Sequence, residues 1–238
     1  MNITVNNLTK KYGRNTALNN VSVVINEGMY GLLGKNGAGK TTLMRILTTI
    51  LPYDSGNVEV CGIPHKNARE IRKIVGYLPQ DFSLYPSLTV YEALDYCGIL
   101  SEIPKVERKT RIAELMEKTN LTGESGKKVR ALSGGMKRRL GIAQAMLNDP
   151  KVLIADEPTV GLDPEERVNF REMLTSYSVG RIVILSTHIV EDIEETCGEI
   201  GILQKGSLAF NGNIVEFKDK MGGDKLESAY MNLLKGGA

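Results

Sequence analysis

Residues 34–41 read GKNGAGKT, directly after the apolar run 29–33 (MYGLL) and before 41–47 (TTLMRIL), which has the composition of a helix. A triphosphate needs several backbone N–H donors that converge on its oxygens, and only residues without a bulky Cβ let a loop wrap that closely. The three glycines provide this freedom, and the following helix points its free N–H groups and the positive end of its dipole at the same phosphates. The stretch therefore predicts a nucleoside triphosphate site between a buried strand and a helix.

The same loop supplies a cation and a hydroxyl. We expect Lys40 to reach the β and γ phosphates and the Thr41 hydroxyl to ligate Mg²⁺. An ordinary glycine-rich turn is the weaker alternative, because a strand precedes the motif and a helix follows it. The residues of this segment expected to bind the nucleotide are Gly34, Asn36, Gly37, Ala38, Gly39, Lys40, Thr41 and Thr42.

Composition places the chain among ordinary packed globular proteins. It has 238 residues, 42% of them hydrophobic, which fits one large domain or a core with a smaller insertion. The 30 Lys and Arg nearly balance the 28 Asp and Glu, so the net charge of +2 gives no general reason to expect nucleic acid as a partner. Cys61, Cys97 and Cys197 are scattered and odd in number, which disfavours a disulfide framework or a zinc site and favours a reducing compartment.

No part of the sequence is expected to cross a membrane. Residues 1–7 (MNITVNN) lack a basic segment followed by an apolar one, and no run of about 18 apolar residues occurs. Any role at a membrane would therefore need a partner protein.

The apolar pattern predicts two sheets. Residues 3–5, 21–25 and 56–60 indicate strands of an antiparallel sheet beside the phosphate loop. From residue 29 onward, short apolar strands alternate with helical stretches, which predicts a parallel sheet covered by helices. The further strands of that sheet are expected at 74–78, 152–155, 181–185 and 200–203.

The stretch 83–149 has a different character. Helical patterns at 90–100, 106–119 and 136–147 occupy it without a good strand, and a further short helix is expected at 226–234. We interpret 83–149 as a helical subdomain inserted into a core formed by 1–82 and 150–238. The predicted fold class is thus α/β: one domain over 1–238, with a P-loop NTPase core and its parallel sheet, an N-terminal antiparallel β-subdomain and an inserted α-helical subdomain.

Two carboxylates end one of the buried strands. Residues 152–157 read VLIADE, and ligands of open α/β sheets bind at the carboxyl ends of the strands. Asp156 is suited to hold Mg²⁺, usually through a water, and Glu157 to polarise an attacking water. Pro158 then stops the strand, so a solvated turn is the weaker alternative.

A second loop suited to an anion precedes another helix. Residues 132–136 read LSGGM, so Ser133, Gly134 and Gly135 stand where a helix begins. Taken alone, this motif would be only a helix cap. Because one γ phosphate rarely needs two such loops from one molecule, we expect each loop to serve a nucleotide held mainly by the other copy of a dimer.

In this order, the motifs resemble those of the ATP-binding subunits of ABC transporters, and the resemblance covers nearly the whole chain. The matching motifs are GKNGAGKT as Walker A, Gln80 in YLPQDFSLYP as the Q-loop, LSGGM as the signature, VLIADEP as Walker B, 160–163 (VGLD) as the D-loop and His188 in LSTHIVED as the switch histidine. The resemblance implies ATP and Mg²⁺ as cofactors, ATP hydrolysis as the reaction, and a second ATPase subunit in a homodimer or heterodimer. It also implies an integral membrane permease as partner and a cytoplasmic location, peripheral at the inner face of the cell membrane.

The resemblance further implies roles for single residues. Glu157 would be the catalytic base, His188 would contact the γ phosphate, and Gln80 would contact Mg²⁺ or the attacking water while it links the helical subdomain to the core. Tyr12, in KYGR (11–14), lies where the family stacks an aromatic ring on adenine. The simpler alternatives are a packing residue at a strand end for Tyr12, a surface side chain for His188 and a turn residue for Gln80.

Several sequence details bear on the subfamily and the partner. Met136 stands where many signatures carry Gln, and Ala155 replaces a larger aliphatic residue, but neither change touches a charge or a loop glycine. The residues 164–167 (PEER) after the D-loop resemble the exporter branch that moves drugs, polysaccharides or bacteriocins. Residues 82–85, with Phe82, Leu84 and Tyr85, are candidates for the groove that receives the permease, or simply for the core of the subdomain.

The main alternative is a soluble ABC-type ATPase acting on nucleic acid or the ribosome. Such chains would carry long heptad insertions or two modules, and this sequence has neither.

Overall fold

The computed structural model describes residues 1–236, which form two β-sheets and nine α-helices. The strands are β1 (Asn2–Tyr12), β2 (Asn15–Asn26), β3 (Gly28–Leu33), β4 (Ser55–Val60), β5 (Ile63–Pro64), β6 (Val75–Leu78), β7 (Val152–Asp156), β8 (Ile182–Ser186), β9 (Glu199–Gln204) and β10 (Ser207–Asn213). The helices are α1 (Lys40–Leu47), α2 (Ala68–Ile74), α3 (Val90–Leu100), α4 (Lys105–Lys118), α5 (Gly134–Met146), α6 (Pro164–Tyr177), α7 (Val190–Thr196), α8 (Ile214–Met221) and α9 (Leu226–Gly236).

The first sheet is antiparallel, as predicted, with the strand order β2-β1-β4-β5. Ile3 of β1 lies between Ile25 of β2 and Val60 of β4, and all three side chains are buried. The strands are longer than predicted because their buried residues alternate with polar residues that face solvent, and this pairing continues past the apolar segments.

The second sheet has the order β10-β9-β3-β8-β7-β6. Five of its strands are parallel, which confirms the prediction for the core. The edge strand β10 runs antiparallel to β9 and was not predicted. The central strands β7 and β8 are buried over their whole length, because both faces of the sheet are covered.

The two faces of this sheet pack against different parts of the chain. Val152 and Ile154 of β7 belong to an apolar cluster shared with α1 and the first sheet. Leu153 and Ala155 belong to a second cluster that includes residues of α3, α4 and α5. Alternating side chains of one strand therefore join the nucleotide-loop side of the molecule to its helical part.

The stretch 83–149 contains α3, α4 and α5, within one or two residues of the helices predicted there. Its β-structure, within residues 1–236, is limited to an isolated bridge between Thr89 and Lys128. The division into 83–149 and a core of 1–82 with 150–238 remains our proposed boundary. None of the helices described is long and apolar enough to span a bilayer.

Candidate active site

The phosphate loop connects β3 to α1, with Gly39 at the N-cap position of the helix. Gly39 has φ 108°, a left-handed conformation that a side chain disfavours. A Cβ at this position would lie 2.6 Å from the carbonyl oxygen of Ala17 and 2.8 Å from Leu18 Cδ2. The loop therefore requires glycine here both for its backbone conformation and for its contact with β2.

Lys40 is the first residue of α1, and its side chain folds back over the loop. It is buried, and its Nζ donates a hydrogen bond to the carbonyl oxygen of Gly34 at 2.5 Å. Burial lowers the pKa of Lys40, while the carboxylates of Glu157 and Asp156 act in the opposite direction. The ammonium is thus held between the loop carbonyls and the acids that end β7.

A hydroxyl and a carboxylate meet beside the loop. Thr41 Oγ1 donates to Asp156 Oδ2 at 2.9 Å, although the two residues are 115 positions apart in the chain. Asp156 is 1% exposed, and burial raises the pKa of its carboxyl group, opposed by the hydrogen bond from Thr41. Oxygen ligands of this kind are those that Mg²⁺ prefers, so the pair fits a magnesium site.

Glu157 follows Asp156 in a left-handed conformation, with φ 52°. Its backbone N–H donates to the Ser186 carbonyl at 2.7 Å, which continues the β7–β8 pairing by one residue. Its Oε2 lies 2.8 Å from His188 Nδ1, and the His188 side chain is 62% exposed while that of Glu157 is 7% exposed. This contact was not predicted from the sequence; the His188 side chain is exposed, as the simpler alternative expects, and its ring also contacts the carboxylate of Glu157.

Most of the residues predicted to bind the nucleotide or Mg²⁺ converge on one open cavity of about 590 Å³. The predicted residues that line it are Tyr12, Asn36, Gly37, Ala38, Gly39, Lys40, Thr41, Thr42, Gln80, Asp156 and Glu157. Gly34 contributes through its carbonyl to Lys40, and His188 through Glu157. The cavity thus joins a basic loop to two carboxylates.

The cavity also has walls that sequence reasoning missed. They include Asn15, Thr16, Ala17, Lys35, Lys205 and Gly206. The turn at Lys205 and Gly206 is fixed to the loop by a hydrogen bond from the Gly206 N–H to the Ala38 carbonyl at 3.1 Å. Lys35 had a local signal, its place inside the motif, and Asn15, Thr16 and Ala17 follow Tyr12 across the β1–β2 turn. Lys205 and Gly206 had none, because the turn between β9 and β10 reaches the loop only in the folded chain.

Tyr12 lies at the end of β1, on the edge of this cavity. Its side chain is 47% exposed, and Lys10 Nζ lies 5.5 Å from the ring centroid. A packing residue would be buried, so this exposure favours a ring available for stacking over the simpler alternative.

Gln80 lies between this cavity and a neighbouring groove. It lines both, as does Glu157, and the groove of about 350 Å³ also reaches Gly134. Gln80 is exposed where the two cavities join, so its side chain can face both of them, which a turn residue elsewhere on the surface could not do.

The LSGGM loop begins α5, away from the nucleotide cavity. Ser133 Oγ accepts a hydrogen bond from the Met136 N–H at 3.2 Å, which caps the helix. Ser133 and Gly134 are exposed, and neither they nor Gly135 are among the residues that line the cavity. An exposed, capped helix start that does not face its own nucleotide loop agrees with the expectation that it serves a second copy.

The sequence model described as "ABC transporter" matches residues 18–160, more than half of the chain. The chain belongs to the ABC transporter family. It is 37% identical over 223 residues to the linearmycin resistance ATP-binding protein LnrL of Bacillus subtilis, covering 92% of this chain and 72% of that protein. It is 40% identical over 208 residues to the Nod factor export ATP-binding protein I of Ralstonia nicotianae, covering 86% of this chain and 64% of that protein.

Solved structures agree with this membership. The structure titled as the ATP binding subunit of an ABC transporter has a TM-score of 0.90 and 27% identity, covering 98% of this chain and all of that chain. A dimeric post-hydrolysis state of the ATP-binding cassette MJ0796, bound to ADP and Pi, has a TM-score of 0.81 and 27% identity, covering 89% of this chain and 98% of that chain. This ABC protein is therefore an ATPase of the family's P-loop fold, as the sequence predicted.

Proposed function

We propose that this chain binds and hydrolyses ATP to power export through a separate membrane permease. The observation that carries the proposal is two hydrogen-bonded pairs, Thr41 with Asp156 and His188 with Glu157, whose adjacent carboxylates line the loop cavity. Two relatives, the linearmycin resistance ATP-binding protein and the Nod factor export ATP-binding protein, support export as the direction of transport.

Binding would use the loop and the edge of the first sheet. The N–H groups of 36–41 would donate to the phosphates, and Lys40 would exchange its contact with the Gly34 carbonyl for the β and γ phosphates. The Tyr12 ring would stack on adenine from the open side of the cavity.

Thr41, Asp156 and Gln80 would hold Mg²⁺. When bound, the ion would neutralise charge on the phosphate oxygens. The hydroxyl and the buried carboxylate already stand together, and the raised pKa of Asp156 marks a carboxylate that gains from a cation beside it.

For hydrolysis, Glu157 would accept a proton from the water that attacks the γ phosphorus, while the bond to the β–γ bridging oxygen breaks and ADP leaves. His188 would hold the carboxylate through its contact with Oε2 and face the γ phosphate. Gln80 would orient the water from the junction of the two cavities. The water and the base are thereby held in line with the bond that breaks.

A dimer would complete the site, because the Ser133 loop is exposed and does not line the nucleotide cavity of its own chain. In the closed state, Ser133, Gly134 and Gly135 of each copy would donate to the γ phosphate held by the other.

The permease would dock beside the Q-loop. Phe82 and Leu84 are half-buried and pack against the helical core, whereas Tyr85 is 58% exposed and meets Tyr96 edge-on at 5.5 Å. A cavity of about 250 Å³ lies there, with Arg130 and Lys137 on its walls. Docking would place the chain in the cytoplasm, at the inner face of the membrane.

Steady-state phosphate release by the purified chain tests the reaction. We expect release that needs Mg²⁺ and is lost with EDTA and in Lys40→Ala, while Lys66→Ala, an exposed lysine away from the loop, stays active. Equal activity in the two lysine variants would contradict the site assignment.

Flotation tests the partner. We expect the chain to bind native membranes but not protein-free vesicles, and to lose binding in Tyr85→Glu but not in Val179→Glu, which changes a residue 77% exposed elsewhere. Activity stimulated by nucleic acid or ribosomes, without membrane binding, would instead support a soluble ABC-type ATPase.

A further inference from the structure

Arg138 is buried in α5, yet its guanidinium reaches two loops outside the helical part of the chain. Its Nη1 donates to the carbonyl oxygens of Pro79, at 3.1 Å, and Gln80, at 2.7 Å. Its Nη2 donates to the carbonyl oxygens of Asp156, at 2.7 Å, and Glu157. One side chain therefore connects the backbone of the Q-loop to the backbone of both Walker B acids.

These carbonyls need a donor because they lie where the sheet ends. The pairing of β6 with β7 runs from Val75 and Val152 to Leu78 and Ala155, and the four carbonyls that Arg138 binds come directly after it. The Asp156 and Glu157 carbonyls belong to buried residues and would be costly to leave without a partner, and a charged, planar donor fork suits several acceptors at once. The guanidinium thus continues the connection between the two strands beyond their last ladder contact.

The charge of Arg138 also suits its surroundings. Burial lowers the pKa of Arg138, and the carboxylates of Asp156, Glu157 and Asp81 act in the opposite direction, which offsets part of the cost of burying a cation. A shorter or neutral side chain would leave carbonyls unbound and two adjacent buried acids without this cation.

The helix that carries Arg138 is packed directly on the sheet. A Cβ at Gly141 would lie 2.6 Å from Leu78 Cδ1 and 2.9 Å from Phe82 Cδ1. A Cβ at Gly76 would lie 2.0 Å from the Ala145 carbonyl oxygen. Such close approach leaves α5 little freedom to slide along β6, so the position of the guanidinium is set by the helix.

The neighbouring Arg139 provides a comparison on the same helix. Its guanidinium pairs with Glu166 of α6 at 2.9 Å and donates to the Asn120 carbonyl at 3.0 Å. It is largely buried as well, but its contacts lie away from the Q-loop and the Walker B acids.

We propose that Arg138 is a positioning residue for ATP hydrolysis, which holds the backbone of Gln80 and Glu157 so that both side chains address the same attacking water. The inference rests on the proposed function, in which these two residues act on that water.

The test compares Arg138→Lys and Arg138→Gln with Arg139→Lys and Arg139→Gln. Lysine keeps the charge but lacks the planar fork, and glutamine keeps one donor group without the charge. We expect kcat to fall about 10- to 100-fold in both Arg138 variants, the usual effect of a small misplacement of catalytic groups, with the Kd for ATP and the KM within about threefold of native. The Arg139 variants should keep kcat within about threefold.

Retention of kcat in folded Arg138 variants, or an equal loss in the Arg139 variants, would overturn the proposal. So would a fall in kcat that is matched by weaker ATP binding, or failure of both Arg138 variants to fold, because either would show a purely structural role. Glu157→Gln is measured in parallel to separate the two proposals. Full turnover in Glu157→Gln would refute the role of Glu157 as the base, on which the positioning role depends. Absence of turnover in the native chain would refute the proposed function, and lost turnover in Glu157→Gln with intact turnover in the Arg138 variants would refute only the positioning role.

Discussion

Replacement of Glu157 by glutamine removes the charge of the proposed base with almost no change in shape. The backbone N–H of Glu157 is bound to the Ser186 carbonyl at 2.7 Å, and glutamine keeps that bond. Its side-chain oxygen also keeps the position 2.8 Å from His188 Nδ1 as a hydrogen-bond acceptor. The fold should therefore persist, and the change isolates the ability of residue 157 to accept a proton.

The expected loss of turnover is large. Removal of a general base costs about 10²- to 10⁴-fold in rate, which corresponds to roughly 2.7–5.4 kcal/mol in the activation free energy. ATP affinity should stay the same or rise, because the adjacent carboxylates of Glu157 and Asp156 repel a triphosphate in this cavity, and the substitution removes one of the two charges. The variant should consequently have a lower kcat without a higher Kd for ATP, and an ATP-bound dimer should accumulate.

The assay is phosphate release at saturating ATP and Mg²⁺, with ATP binding and molecular size measured on the same preparations. Glu165→Gln is the matched control, because Glu165 is an exposed acid in the first turn of α6. Turnover in Glu157→Gln within about threefold of the native chain would refute the reasoning, as would an equal loss in the control.

Two further predictions concern stability. Burial raises the pKa of Asp156, so its contribution to the stability of the nucleotide-free chain is fully present below the ordinary pKa of about 3.9 and is lost as pH rises through the raised pKa. Asp156→Asn should therefore raise the melting temperature at pH 7.5, with a gain that shrinks toward pH 4, whereas a gain independent of pH would contradict this. Gly76→Ala should destabilise the fold by about 1–3 kcal/mol, because its Cβ would collide with the Ala145 carbonyl oxygen. Gly123→Ala is the control: its Cβ would have no atom within 4 Å, so its melting temperature should stay within about two degrees of the native value. Similar melting temperatures for the two variants would contradict the packing argument.

The motifs and most elements of the core were predictable because their causes are local. The composition of GKNGAGKT reflects the needs of a tight loop, as the left-handed φ of Gly39 illustrates, and the run VLIAD reflects a strand covered on both faces. The helices of 83–149 were found to within two residues because their apolar residues recur with helical spacing. The edge strand β10 was missed because its residues are only partly buried, so its apolar pattern is weak.

Contacts between motifs were not predictable in the same way. Ser133 could be recognised as a helix cap from the five consecutive residues LSGGM. The contacts of Arg138 on the same helix could not be predicted, because its four acceptors are backbone carbonyls, which no residue type identifies. The same holds for the contact between Glu157 and His188, and for Lys205 on the cavity wall. The sequence by itself determined the family, the nucleotide loop and the residue types of the site, because each follows from spacing along the chain. Only the tertiary structure decided which of those residues touch, because strand order and helix packing bring together positions that no local pattern relates.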